Sequence, residues 1–202
     1  MNIIIIGLGS VSRSIADILT TEFNYNIKGY IGTDEEGGHN TGKIIYKNIP
    51  FLGTRKILNQ IKKIDVNGFI VAIGDRYIRE EVFNEAKNSG LVPINAISKN
   101  AIVEGNVSIG MGVVIGSGSI IQNGVQIGDN THIGSGVILD FSCILGSNCN
   151  IKSGALIGRR ANILKNCQVG YRCCVSSDVQ IGKNQSIQNY QKIDKNLQNL
   201  LR

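Results

Sequence analysis

The sequence contains no tryptophan, only 5% aromatic residues and two histidines. It also lacks any apolar run near the roughly 18 residues that a bilayer span requires, which excludes membrane insertion by a helix. The run Ile3-Ile4-Ile5-Ile6 ends in glycine after four residues. It has neither the basic start, the longer apolar stretch nor the cleavage site of a signal peptide, so a buried strand and a cytoplasmic protein are expected. The formal charge is +6, yet there is no dense Lys/Arg block and no aromatic-basic interleaving. Nucleic acid is therefore excluded as the partner, and the scattered cations read as solvated surface. What the chain has is glycine, 25 residues of it, with 42% hydrophobic and 18% charged residues. That mixture suits a packed architecture with many tight corners and small interior residues.

The dominant pattern is a six-residue repeat. From Ile97 onward every sixth residue is aliphatic, through Val103, Ile109, Ile115, Ile121, Ile127, Ile133, Leu139, Leu145, Ile151, Ile157, Ile163, Val169, Val175, Ile181 and Ile187. Four residues after each of the first fourteen stands a small one, from Ala101 and Val107 to Cys173 and Val179. Glycine often follows the aliphatic directly, as at Gly110, Gly128 and Gly146. A strand has period two and a helix 3.6, and neither accounts for a strict period of six. A triangular coil does: one large aliphatic fills the bore from each flat face, and a small residue fits where faces converge. The corners take conformations that glycine, asparagine and aspartate adopt readily. Three hexads make a coil of 18 residues, so the segment predicts a left-handed parallel β-helix of about five coils.

Four of the five cysteines, Cys143, Cys149, Cys167 and Cys173, fall on the small interior position, and Cys174 follows on the outward side. They read as small apolar filler in a reducing compartment, not as a convergent metal-ligand set, so no metal is expected.

Residues 1–94 alternate strand and helix. Asn2 to Ile6 reads as a strand, Val11 to Leu19 as a helix, Ile27 to Ile31 as a strand, and Arg55 to about Lys62 as a helix. Gly68 to Ile73 is another strand and Ile78 to Ser89 a helix with Val82, Phe83 and Ala86 inward. This predicts a small parallel α/β sheet of Rossmann-like character, with ligands beyond the carboxyl ends of its strands. Gly7-Leu8-Gly9-Ser10 places a glycine turn at a helix N-terminus, where free N–H groups and the helix dipole favour a phosphate. An ordinary strand-to-helix turn has the same composition. Asp34, after the second strand, is placed to accept hydrogen bonds from a ribose or base. Glu35 to Pro50 reads as a polar excursion, with His39 solvated.

An α/β domain carrying Val-Ala-Ile-Gly-Asp at 71–75 and the arginine-rich start Arg76 to Arg79 runs directly into hexapeptide repeats at Asn95-Ala96-Ile97. This combination resembles the sugar O-acyltransferases, the family of sialic acid O-acetyltransferases and bacillosamine-pathway amino-sugar N-acetyltransferases. The resemblance spans about residues 1–187. It implies a Rossmann-like nucleotide-sugar-binding domain (1–94), a left-handed β-helix acyltransferase domain (95–187) and a tail (188–202) that is expected to be a short helix. It implies a homotrimer with acetyl-CoA between neighbouring β-helices, and a β-helix histidine as general base with a backbone N–H one coil on as oxyanion donor.

Carried over residue by residue, the nucleotide side is Gly7, Gly9, Ser10, Asp34, Gly74, Asp75 and Arg76. The CoA phosphates are expected at Arg159, Arg160, Lys165 and Arg172. The chain departs from the family elsewhere. Ser10-Val11-Ser12 replaces the usual glycine-histidine-glycine, Ser98 replaces the junction histidine, and the acidic-histidine-acidic tripeptide falls on Asp140-Phe141-Ser142. Asp140 is the carboxylate left at the base position, Arg159 stands where glycine usually admits the thioester, and the terminal Gly-x-Pro-Ala is missing. His132, just before an interior aliphatic, is expected on the surface or at the trimer interface. An acetyltransferase on a nucleotide-activated amino sugar follows, with N-acylation favoured because an amine is partly neutral near pH 7–8 without a base. The alternative is a catalytically inactive relative that serves as a nucleotide-sugar-binding or partner subunit.

Overall fold

The structure, a computed structural model, describes residues 1–23, 25–33 and 42–197. It divides into two compact units, Met1–Ala96 and Ile97–Arg202. The first is built on β1 (Asn2–Ile6), α1 (Ser10–Glu22), β2 (Asn26–Gly32), β3 (Ile44–Tyr46), β4 (Ile49–Thr54), β5 (Gly68–Val71), α2 (Arg76–Asn88) and β6 (Val92–Pro93). The sheet order is β3-β4-β2-β1-β5-β6. All pairings are parallel except β3 with β4. Ile3, Ile4, Ile5 and Ile6 are all fully buried, as a strand covered on both sides requires. Ile4 and Ile6 pack with Val82, Phe83 and Ala86 of α2, and α1 lies on β1 and β2.

Two stretches differ from their expected form. The part of the polar excursion within the described residues holds a hairpin, β3 and β4, turned by Lys47 and Asn48 at φ 50° and 60°. Consecutive left-handed residues of this kind make the tight turn that suits a hairpin's twist. Arg55–Ile64 is a 3-10 helix in place of the expected α-helix.

The second unit is the expected left-handed β-helix. Two-residue strands recur every six residues and stack on those 18 residues away, for example Val114–Ile115 on His132–Ile133. Face 1 runs from Ala96–Ile97 to Ser186–Ile187, face 2 from Ile102–Val103 to Lys192–Ile193, and face 3 from Ser108–Ile109 to Gln180–Ile181. The aliphatic column and the small positions from Val113 to Val179 form one buried core. The small column also carries donors. Ser119 and Thr131 hydroxyls donate to the carbonyls of Gly134 and Gly146, and the thiols of Cys149, Cys167 and Cys173 donate to Leu164, Gly182 and Gln188, at 2.8–3.3 Å. Each bond spans fifteen residues and satisfies a corner carbonyl of the next coil.

The corners separate two roles that glycine composition had merged. From Asn106 to Tyr190, every sixth residue has positive φ, and asparagine or glycine fills ten of these positions. The glycines directly after the aliphatics have no such φ. They are small because the next coil passes close: a Cβ on Gly146 would meet Lys165 N at 2.6 Å. At the corner between faces 3 and 1, Asn130, Asn148, Asn166 and Asn184 stack, each amide donating to the next side-chain oxygen at 2.7–3.0 Å.

The tail is not the expected helix within its described part. Ile193 continues the period of six, Lys192–Ile193 pairs with Cys174–Val175, and Leu197 bridges to Ile181. An aliphatic on the repeat prolongs the coil because the open bore of the last turn offers it more burial than a helix would.

Candidate functional site

In the N-terminal unit, β1 and β5 end side by side. Gly7 has φ +121° and donates to the Ile31 carbonyl at 2.7 Å. A Cβ there would lie 2.6 Å from the Ala72 carbonyl oxygen, so Gly7 is a buried packing residue that lets the turn close. Gly9 and Gly74 are exposed, and a Cβ on either meets nothing within 4 Å. Gly9 is the N-cap of α1; among the described residues no side chain caps the helix, and no acidic residue lies in its first turn. The N-terminus of α1, starting at the exposed Ser10, thus presents the Ser10 and Val11 amides, which find no acceptor among the described residues, and the positive dipole end of the helix.

Asp75 is engaged otherwise. Its Oδ1 accepts from the Tyr77 and Ile78 amides at 2.8 and 3.0 Å, which caps α2. The Arg76 guanidinium lies 4.8 Å from the centre of the exposed Tyr77 ring, and its Nη2 donates to the Tyr77 hydroxyl at 3.2 Å. Asp34 and His39 lie outside the described residues. In the sequence Arg79 stands only as the end of the arginine-rich helix start, with no role of its own. It is fully buried and donates to the Ile73 carbonyl at 3.3 Å, tying α2 to the end of β5. Composition gives no signal of that burial, although the place of Arg79 on the helix face of Val82 and Ala86 does.

On the β-helix, Asp140-Phe141-Ser142 forms the corner between faces 2 and 3. Asp140 Oδ1 accepts from the Phe141 amide at 2.7 Å, a local bond that holds the corner. The Phe141 ring is 45% exposed. One coil on stand Gly158-Arg159-Arg160, with the Arg160 amide bonded to the Phe141 carbonyl at 3.0 Å. The amide of Arg159 finds no acceptor among the described residues. Beneath this corner, burial and then the Asp140 charge push the Cys143 thiol up to about 12.

The four expected phosphate-binding cations are not brought together. Arg159 and Arg160 share the corner between faces 2 and 3, Arg172 lies on that between faces 1 and 2, and Lys165 on that between faces 3 and 1. Arg160 is already held by Asp178 through two bonds of 2.7 and 2.8 Å, which lowers the carboxyl from its ordinary range. His132 is 6% exposed, not on the open surface. Among the described residues no group of three or more His, Cys, Asp or Glu is placed to hold a metal. No helix there is long and apolar enough to cross a membrane.

A groove of about 480 Å³ runs along the corner between faces 1 and 2, lined by Ser135, Ser153, Gly154, Tyr171, Arg172 and Tyr190. Tyr171 and Tyr190 are 46% and 72% exposed. Arg172 and Tyr190 hold φ of 51° and 63° on the column that Gly118, Gly136 and Gly154 occupy in earlier coils. Sequence reading named only Arg172 of this set. Its signal is the loss of glycine and serine from a column that keeps them for three coils.

Comparisons agree with this architecture. The family model of the PglD N-terminal domain matches residues 2–86, and that of the bacterial transferase hexapeptide, with six repeats, matches residues 106–141. No curated protein matches the chain. Among solved structures, the acetyltransferase domain of PglB from Neisseria gonorrhoeae FA1090 is similar at 19% identity and a TM-score of 0.85, over 97% of this chain and 92% of that one. WeeI from Acinetobacter baumannii AYE is similar at 16% identity and a TM-score of 0.83, over 98% and 94%. PerB from Caulobacter crescentus, solved in complex with CoA and GDP-perosamine, is similar at 22% identity and a TM-score of 0.63, over 98% and 91%. These identities speak for a shared fold.

Proposed function

We propose that this chain, a two-domain member of the hexapeptide-repeat sugar acyltransferases, transfers an acetyl group from acetyl-CoA to the amino group of a nucleotide-linked sugar. The observation that carries the reading is the N-terminus of α1, uncapped among the described residues, in a chain that continues as an uninterrupted β-helix. The α1 amides around Gly9 and Ser10 receive a phosphate of the sugar nucleotide, where backbone donors and dipole act together. Gly74 keeps the neighbouring strand end clear, and Asp75 serves by capping α2. The similar PerB was solved with CoA and GDP-perosamine, substrates of this class.

The chain acts as a homotrimer. Outward side chains of face 2 are Ile102, Ile120, Ile138, Leu156 and Cys174, an apolar stripe that packing around a three-fold axis would bury. Face 3 instead points Ser108, Gln126, Ile144, Asn162 and Gln180 outward. With face 2 inward, its two bounding corners meet those of neighbouring copies. The Tyr171–Arg172–Tyr190 groove of one copy then takes the nucleotide end of CoA, and the Asp140–Phe141 corner of the next takes the thioester. Arg172 pairs with a phosphate there and the tyrosine rings flank the base.

The reaction needs no resident metal. The neutral amine attacks the thioester carbonyl, the oxyanion is met by the Arg159 amide, and its collapse breaks the C–S bond and releases CoA as a thiolate, which takes up a proton from solvent or from Asp140. Phe141 carries no proton, so the amine loses its proton to solvent or to the Asp140 carboxylate. General-base help is worth roughly 10²–10⁴ in rate, so a slow enzyme specific for amines is expected. A second reading rests on the same ring: with Phe141 in place of a base, the chain is an inactive partner subunit.

Calorimetry with CoA and acetyl-CoA, followed by thiol release with a panel of nucleotide amino sugars, tests both. Binding with release supports the enzyme, and Phe141→His then raises kcat by roughly tenfold or more. No CoA binding at millimolar concentration refutes the transfer reading and leaves the partner subunit.

A further inference from the structure

The β-helix is charged unevenly along its axis. From Ile97 to Asn148 it carries Lys99 against Glu104, Asp129 and Asp140. From Cys149 to Leu197 it carries eight lysines and arginines against only Asp178 and Asp194. The first stretch is net negative and the second strongly positive. The cations also encircle the rod: Arg159 and Lys195 on the corner between faces 2 and 3, Arg172 on that between faces 1 and 2, and Lys165 and Lys183 on that between faces 3 and 1. All five are exposed.

A small anionic ligand in the groove beside Tyr171 explains Arg172 alone. Lys165 and Lys183 stand on the corner opposite face 2, away from any cleft that face 2 forms. A nucleic-acid strand needs a basic track along one side with aromatic platforms, and a ring around the end of a rod is not such a track. A ring faces a plane. Coils rise by about 4.8 Å, and the screening length at physiological salt is about 8 Å, so the last two coils act on a nearby surface together.

We infer that the C-terminal end of the β-helix docks on an anionic phospholipid surface, peripherally and by charge. Each lysine or arginine near such a leaflet strengthens partition roughly fivefold. The inference does not rest on acyl transfer. The proposed trimer strengthens it, because cyclic symmetry points every copy's end the same way and lets the charges act on one plane.

The test is co-sedimentation of the full chain with phosphatidylcholine vesicles, with and without phosphatidylglycerol, at low and high salt. Binding is expected only with phosphatidylglycerol and is lost at high salt. The double change Lys183→Glu, Lys195→Glu alters exposed positions only and should weaken partition at least roughly tenfold. The change Lys28→Glu, Lys56→Glu in the N-terminal unit should leave partition within about twofold, because neither residue belongs to the β-helix. Circular dichroism of each variant confirms that the fold is kept. Failure to bind phosphatidylglycerol vesicles at low salt overturns the inference. So does binding that the N-terminal pair weakens as much as the C-terminal pair. Preferential binding of duplex DNA in competition with the vesicles would replace it with a nucleic-acid surface.

Discussion

Gly9→Asp separates helix stability from phosphate binding by moving them in opposite directions. Gly9 is the N-cap of α1 at φ −69° and ψ −179°, an extended conformation that aspartate adopts, and a Cβ there meets nothing within 4 Å. The Ser12 amide already donates to the Gly9 carbonyl, so an aspartate side chain would accept from the Val11 amide and place a negative charge at the positive end of the helix. Capping over glycine is worth a few tenths of a kcal/mol and the dipole term about 0.3–1, so the fold should gain about 0.5–1 kcal/mol. The same charge would sit about 5 Å from a phosphate bound to the first-turn amides. At that distance repulsion is about 1 kcal/mol in water-like surroundings and about 3 at an effective dielectric of 20. Affinity for a nucleotide sugar should fall roughly five- to a hundredfold. Gly9→Ala is the control, with similar bulk at Cβ, no charge and no cap. Urea denaturation reads the first effect and calorimetry with UDP- and GDP-linked amino sugars the second. Unchanged affinity in a stabilised Gly9→Asp chain would remove the phosphate from α1, and a loss of stability would show that the helix start is already capped.

Asn148 sits in the middle of the asparagine stack, 2% exposed, at φ 59°. Asn148→Gly leaves the Asn130 amide and the Asn166 oxygen short of a partner and should cost roughly 2–6 kcal/mol. Asn148→Ala should cost about 1 kcal/mol more for the left-handed backbone, and equal denaturation midpoints for the two would contradict that division. Alkaline stability should fall as well. Burial raises the Cys143 thiol from 9.0 to about 12 and, with Tyr46 and Asp17 adding, the Tyr30 hydroxyl from 10.0 to about 12. Both groups stay protonated in the fold after their unfolded counterparts ionise. Stability is thus complete below about pH 9 and declines from there towards pH 12, by about 1.4 kcal/mol per pH unit for each group. Urea unfolding in steps from pH 8 to about pH 10.5 should show the decline and Cys143→Ala should reduce it; a flat profile refutes the assignment.

The β-helix was legible because its period is strict, and the core positions follow from counting alone. The tail was misjudged for want of one more step of that count, since Ile193 stands six residues after Ile187. The two roles of glycine were not separable in sequence. One answers to φ and the other to the distance of the next coil, which only stacked coordinates reveal. The same holds for the cations. Arg159, Lys165 and Arg172 look like one cluster in the chain, but steps of six carry them to three corners. The hairpin of β3 and β4 is short and apolar, Ile44–Tyr46 and Ile49–Thr54, and was hidden by the polar residues around it, and the burial of Arg79 by the usual exposure of arginine.

The fifteen-residue bonds from the small interior column and the eighteen-residue pairing of strands also define what length this protein can have. Adding or removing a single residue between Ile97 and Ile193 would turn every later aliphatic out of the bore. A change of six would keep the bore filled but rotate all later faces by a third of a turn, so that the asparagines below the cut no longer stand over those above. A change of eighteen rejoins like to like on every face and corner. The rod can therefore grow or shrink only in whole coils, and the height of Asp140 above Ile97 is a quantity that comes in steps.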